Sequence, residues 1–208
     1  SMMEGVNAIR VKMWKKRLSR EERQEAILDV DGTLAPTDGE CKEGMGLSYN
    51  GVWSYHPLMV SLANTMEPVY LWNRPGNKPS HEGAVEWMDR AAGWARQAFD
   101  RVTFRGDTDF CLTAAFDRWT KERIGFAFSF DAMKNLVEIA ENLEKTGAFK
   151  PLTRPLKRQR QGPARKRKER VKERIVVEKG ENVLFADIRH FFYITNIEER
   201  TTREVVFF

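Results

Sequence analysis

Ile27-Leu28-Asp29-Val30-Asp31-Gly32-Thr33-Leu34 is the first strong signal in the chain. It is a short apolar run that ends by presenting two aspartates on alternate residues. Side chains i and i+2 of a strand share a face, so Asp29 and Asp31 stand side by side where the chain leaves a sheet. Like charges that close need something positive between them. A divalent cation such as Mg2+, which takes one or two carboxylates together with phosphate oxygens, is the usual answer. Val102-Thr103-Phe104-Arg105-Gly106-Asp107-Thr108-Asp109-Phe110 repeats the pattern of an apolar run ending in acids. Two parallel strands that deliver carboxylates at one end of a sheet make a metal-dependent phosphate site. The plainer reading, strand-end aspartates as turn residues, accounts for either stretch alone better than for both.

Working outward, residues 26–34 form the first strand, Leu58–Leu62 the second and Val69–Trp72 the third. They are separated by loops rather than helices, which makes them antiparallel neighbours. Ser80 is placed to cap a helix from His81 to Phe99, with Val85, Met88, Ala92, Ala95 and Phe99 on one face. A strand at Arg101–Phe104, a helix at Leu112–Lys121, a strand at Ile124–Phe130 and a helix at Ala132–Lys145 follow. Alternation of this kind is α/β. Residues 4–25 read as one or two helical turns and a polar connection. Lys150–Lys172 has no apolar periodicity and reads as extended. Strand-like runs at Arg174–Glu178 and Val183–Asn196 flank a hairpin turn at Lys179–Asn182.

The 208 residues carry a net charge of +5. The excess is concentrated in Lys150–Arg174, which is dense in Lys and Arg and has only Glu169 and Glu173 as acids; the remainder is slightly acidic. Such a run suits a polyanion, because each cation placed on a phosphate releases a counterion; the alternative is a solvated loop. Cys41 and Cys111 are too few and too far apart for a disulfide framework or zinc site. No run reaches membrane length and no signal peptide is visible, so a soluble cytoplasmic protein is expected. Ser1-Met2-Met3 looks like an expression scar followed by a start. The apolar Val205-Val206-Phe207-Phe208 at the other terminus implies a longer parent.

Two families resemble the first motif. Asp29-Val30-Asp31-Gly32-Thr33-Leu34 is similar to the opening motif of haloacid-dehalogenase-like phosphohydrolases, which would make Asp29 a nucleophile. Asp107 and Asp109 could serve as the later acidic pair, but the Lys required before them is missing, since Lys78 lies in a Pro-rich turn. A longer ordered series resembles the catalytic region of bacterial DDE-type insertion-sequence transposases. It comprises Asp31-Gly32-Thr33, Tyr49-Asn50-Gly51, Tyr55-His56-Pro57-Leu58, Arg74-Pro75-Gly76-Asn77 and Arg105-Gly106-Asp107-Thr108-Asp109-Phe110, and the likeness runs from about residue 26 to residue 145.

This second resemblance implies a ribonuclease-H-like mixed five-stranded sheet flanked by helices, with a β-rich C-terminal insertion. The expected divisions are an N-terminal segment at 1–25, a catalytic core at 26–149, and a basic linker with insertion at 150–208. Three acids would hold two Mg2+ or Mn2+ ions that cleave double-stranded DNA at transposon ends and join the 3′ hydroxyl to target DNA. The parent would act as a dimer on DNA, and would be nucleoid-associated when bound. Asp31 is the expected first acid, with Asp29 the fallback on the same face, and Asp107 the second. The third is a Glu on a helix after the inserted segment. Glu198, Glu199 and Glu204 lack the surrounding pattern, so an incomplete site without strand transfer is expected, its last acid beyond Phe208.

Arg74, Asn77 and Arg105 flank the acids, where an Arg can grip a DNA phosphate or pair with a neighbouring aspartate. Lys166, Arg167 and Lys168 would contact DNA without reading its sequence. His56 is read as a packing or loop-bonding residue, and Trp53, Trp72, Trp87, Trp94 and Trp119 as core. A DNA-binding remnant without catalysis is the non-enzymatic alternative.

Overall fold

The structure, a computed structural model, describes residues 2–39, 41–148, 176–178, 181–183 and 190–206. In chain order the elements are α1 (Met2–Arg17), β1 (Glu25–Gly32), β2 (Ala35–Pro36), β3 (Gly46–Leu47), β4 (Trp53–Tyr55), β5 (Leu58–Leu62) and β6 (Glu67–Trp72). There follow α2 (Ala84–Ala95), β7 (Arg101–Gly106), α3 (Phe116–Lys121), β8 (Ile124–Phe130), α4 (Lys134–Lys145), β9 (Val176–Glu178), β10 (Glu181–Val183), β11 (Phe192–Thr195) and α5 (Thr202–Val206). Two compact units result. One comprises Ser1–Asp131 with Phe191–Phe208, the other Ala132–His190.

The first unit is built on a six-stranded sheet in the order β11-β8-β7-β1-β5-β6. β1, β5 and β6 are mutually antiparallel neighbours, as their loop connections predict, whereas β7 runs parallel to β1 and β8 parallel to β7. The sheet is therefore mixed and flanked by helices, as expected. It has one strand more than expected. Phe192–Thr195, read from the sequence as part of a long hairpin arm, instead pairs antiparallel with β8.

The period-2 pattern of β1 turns Ala26, Leu28 and Val30 into the core and leaves Ile27, Asp29 and Asp31 on the opposite face. Val60, Phe104, Phe126 and Phe128 form the matching buried rows of neighbouring strands. α2 covers them with Ala84, Met88, Ala91, Ala92 and Ala95. The helix starts later than Ser80 predicts. Gly83, at φ 73°, precedes it, and a Cβ there would lie 2.5 Å from the Trp72 ring. Trp119 is fully buried, Trp72, Trp87 and Trp94 are half-buried, and Trp53, expected inside, is 54% exposed.

α1 is far longer than the one or two turns expected. Its buried residues are Asn7, Val11 and Trp14, and polar anchors fix it to β6. The Asn7 side chain donates to Val69 O at 3.1 Å, Trp14 Nε1 donates to Glu67 Oε2 at 2.7 Å, and the Tyr70 hydroxyl donates to Glu4 Oε1 at 2.8 Å. The helix expected at 112–121 is reduced to a 3-10 turn, Thr113–Ala115, and the six-residue α3. A small sheet, β2-β4-β3, occupies the long loop between β1 and β5.

In the second unit, α4 follows the predicted amphipathic spacing, but of its apolar face only Ala140 is buried, while Ile139 and Leu143 are exposed. β9 and β10 pair antiparallel about the predicted turn, whose Lys179 and Gly180 lie outside the described residues. No helix among the described residues is long and apolar enough to cross a membrane.

Candidate metal centre

The parallel register of β1 and β7 sets Asp29 opposite Arg105. Two residues further along both strands, on the same face, come Asp31 and Asp107, at the C-terminal end of the parallel strands. Both carboxylates are exposed to solvent. The turn from strand to rim depends on Gly106. A Cβ there would lie 2.9 Å from Val30 Cγ1 and 3.2 Å from both Phe110 Cβ and Phe128 Cδ1, so only glycine lets β7 pack this tightly just before Asp107. Asp107 then caps the short 3-10 turn Thr108–Phe110, its Oδ1 accepting from the Asp109 amide at 3.0 Å, while Phe110 plugs the core below.

The Asp107 carboxyl is held above the usual carboxylate range, first by loss of surrounding water. The Asp109 amide opposes this by donating to the ionised form, while the charges of Asp109 and Asp31 push the same carboxyl up. Asp31 and Asp107 thus meet closely enough to repel, which a bound cation would relieve. Exposed, hard oxygen donors of this kind fit a divalent ion of the Mg2+ or Mn2+ type. Among the described residues no group of three His, Cys, Asp or Glu converges on one point.

Asp29 is engaged elsewhere. Arg105 forks onto it, Nε to Oδ1 at 2.6 Å and Nη2 to Oδ2 at 2.7 Å. Of the two roles open to Arg105 in the sequence, phosphate grip or aspartate partner, the structure displays the second. Arg74 is placed inside, 2% exposed. Its Nε donates to His56 O at 2.9 Å, and its Nη1 to the carbonyls of Pro79, Ser80 and Glu82 at 3.2, 3.1 and 2.7 Å. It binds the loop before α2 together, and as placed it presents nothing to a DNA phosphate. Asn77 is exposed on the same loop. His56 is buried, with Nδ1 2.7 Å from Lys78 O and Nε2 2.9 Å from where a Gly32 Cβ would stand, a loop-bonding role as read from the sequence. Lys166, Arg167 and Lys168 lie outside the described residues.

The late glutamates are not with the aspartates. β11 runs antiparallel to β8 and carries the chain to the opposite end of the sheet, where Arg200 pairs with Glu25 at the start of β1. Glu198 and Glu199 lie in that turn, and Glu204 caps α5 by accepting from the Thr201 amide at 2.8 Å. The sequence reading passed over Asp131, which follows β8 at the same end as Asp107. Burial, and then Asp131, push the Cys111 thiol up. Its one signal was its place, directly after an apolar strand.

Residues 2–207 match the sequence model of the transposase DDE domain, group 1. The chain belongs to the DDE transposases. Members of that family use divalent metal ions, and the rim aspartates are carboxylates of the kind such ions require. Among solved structures, the piggyBac transposase synaptic complex with hairpin DNA resembles this DDE domain at 17% identity and a TM-score of 0.41, over 62% of this chain and 27% of that one. No curated protein matches it.

Proposed function

We propose that this chain carries the catalytic core of a transposase that hydrolyses phosphodiester bonds at transposon ends and joins the freed 3′ hydroxyl to target DNA. Asp31 and Asp107 are the metal ligands in this reading. The observation that supports it is the convergence of these two exposed carboxylates at the ends of adjacent parallel strands, with Asp31 raising the pKa of Asp107. A bound Mg2+ or Mn2+ pair would supply charge stabilisation to the attacking and departing oxygens of an in-line displacement. The protein's part is to hold both carboxylates oriented and open to solvent, while a bound cation would favour their ionised form. A third acid comes from outside the described residues. Double-stranded DNA is the proposed partner, with Asn77 and the basic residues Lys166, Arg167 and Lys168 as backbone contacts and assembly as a dimer on paired ends.

A phosphohydrolase with Asp29 as nucleophile is less well supported, because attack on phosphorus needs a free carboxylate oxygen and Arg105 holds both. The deciding experiment measures Mn2+ binding by the 208-residue chain and its Mn2+-dependent nicking of end-bearing DNA. Both should be lost in Asp31→Asn and in Asp107→Asn. Nicking that survives both substitutions overturns the assignment. DNA binding with neither Mn2+ binding nor nicking would identify a non-catalytic remnant.

A further inference from the structure

We infer that Arg105 is a positioning residue that keeps the metal at the rim of the sheet by occupying Asp29, an inference that rests on the reading of Asp31 and Asp107 as the metal pair. Three aspartates share this corner of the fold. Asp29 and Asp31 lie on one face of one strand, about 7 Å apart at their Cα atoms by strand geometry, and Asp107 stands on the neighbouring strand beside Asp31. Left to itself, a cation would be drawn by all three charges. With Asp29 unpaired, the negative charge would be spread along the strand face instead of concentrated at the rim.

The fork removes that choice. Arg105 stands directly opposite Asp29 in the register, so its side chain has only the interstrand gap to cross, and both carboxylate oxygens are taken, at 2.6 and 2.7 Å. A bidentate arginine–carboxylate pair fixes orientation as well as charge. The pair is about one-third exposed on each side chain, placing it one step below the solvent-facing rim. One strand pairing therefore carries the fork, and the next position outward carries Asp31 and Asp107, for which no ion pair is seen among the described residues. The same fork ties β1 to β7 laterally just before the acids.

Mn2+ titration of the 208-residue chain, followed by the electron paramagnetic resonance of the free ion, tests this without reference to catalysis. Arg105→Gln leaves the Asp29 charge unneutralised beside the pair and should tighten Mn2+ binding roughly tenfold through the added negative potential. Adding Asp29→Asn to that variant should bring binding back to within about twofold of wild type, and Arg105→Lys, which keeps the charge but cannot fork onto both oxygens, should fall between wild type and Arg105→Gln. Should Arg105→Gln fail to fold, Asp29→Asn alone reads the same relation, because the guanidinium left beside the metal pair should weaken Mn2+ roughly tenfold. Folded variants at Asp29 and Arg105 that leave Mn2+ affinity unchanged, in a chain whose binding still requires Asp31 and Asp107, overturn this inference alone. Binding indifferent to Asp31→Asn and Asp107→Asn overturns the metal-pair reading and this inference with it.

Discussion

Asp107 stands beside Asp31 at the end of adjacent parallel strands, and its carboxyl is held above the usual range by lost hydration and then by the charges of Asp109 and Asp31. A carboxyl whose folded-state pKa is raised contributes stability that is complete below its unfolded value, about 3.9, and lost as pH rises through the folded value. At neutral pH the ionised pair therefore works against folding. Asp107→Asn keeps an oxygen to accept from the Asp109 amide and removes the repulsion. It should raise the thermal midpoint at pH 7 and leave it unchanged at pH 3, with solvent screening holding the gain under about 1 kcal/mol. Mn2+ should stabilise the wild type and not this variant. Melting curves at the two pH values, with and without Mn2+, check both statements.

β1 and β7 were readable because their apolar runs alternate or end abruptly in acids, a pattern that dictates both strand and rim. α1 was not, since its anchors are an asparagine, a glutamate and a tryptophan whose partners Val69, Tyr70 and Glu67 lie more than fifty residues away. Arg74 was misplaced for a related reason. An arginine before Pro-Gly looks like a surface loop, and only the tertiary fold reveals that the carbonyls of Pro79, Ser80 and Glu82 curl around it. The register of β1 against β7 lies between these cases: two separate acid-ended strands are visible in the sequence, but the pairing of Asp29 with Arg105 exists only once they lie side by side.

Removing the Arg74 side chain strips partners from four carbonyls, that of buried His56 and three in the partly exposed loop before α2. Arg74→Ala should cost about 3 kcal/mol or more, measured by urea unfolding. Lysine should not rescue it, because a single ammonium cannot reproduce donation from Nε and Nη1 in two directions. If the guanidinium has no phosphate role, the salt dependence of DNA binding per folded molecule should be unchanged by the substitution; a slope reduced by about one would reinstate Arg74 as a DNA contact.

Gly106 has no spare volume. A methyl group there meets Val30 on β1, Phe110 beneath the 3-10 turn and Phe128 on β8, and two of these are fully buried core rings that cannot rotate away. Gly106→Ala should cost about 1–3 kcal/mol through overpacking. Because the displaced residues flank Asp107, Mn2+ affinity should fall as well, in a protein that is still folded. Loss of stability with unaltered Mn2+ affinity would show that the rim tolerates movement of its support.

At the opposite end of the sheet, Glu25 joins three parts of the chain. It accepts from the Thr103 hydroxyl at 2.5 Å and pairs with Arg200, with the Glu25 and Arg200 side chains only 17% and 18% exposed. Arg200 follows β11, whose only strand neighbour among the described residues is β8, so this ion pair and the Asn196 side chain, which accepts from the Phe126 amide at 2.9 Å, are its chief polar ties to the sheet at this end. Removing the carboxylate strips Arg200 of this ion-pair partner and the Thr103 hydroxyl of its acceptor, so Glu25→Ala should cost about 3 kcal/mol. Glu25→Gln keeps the hydroxyl contact and should cost less. The loss should be local first, with amide exchange accelerating across 192–206 before it does in β1 or β7. Uniform acceleration over the whole sheet would mean instead that the sixth strand and the five-stranded core unfold as one.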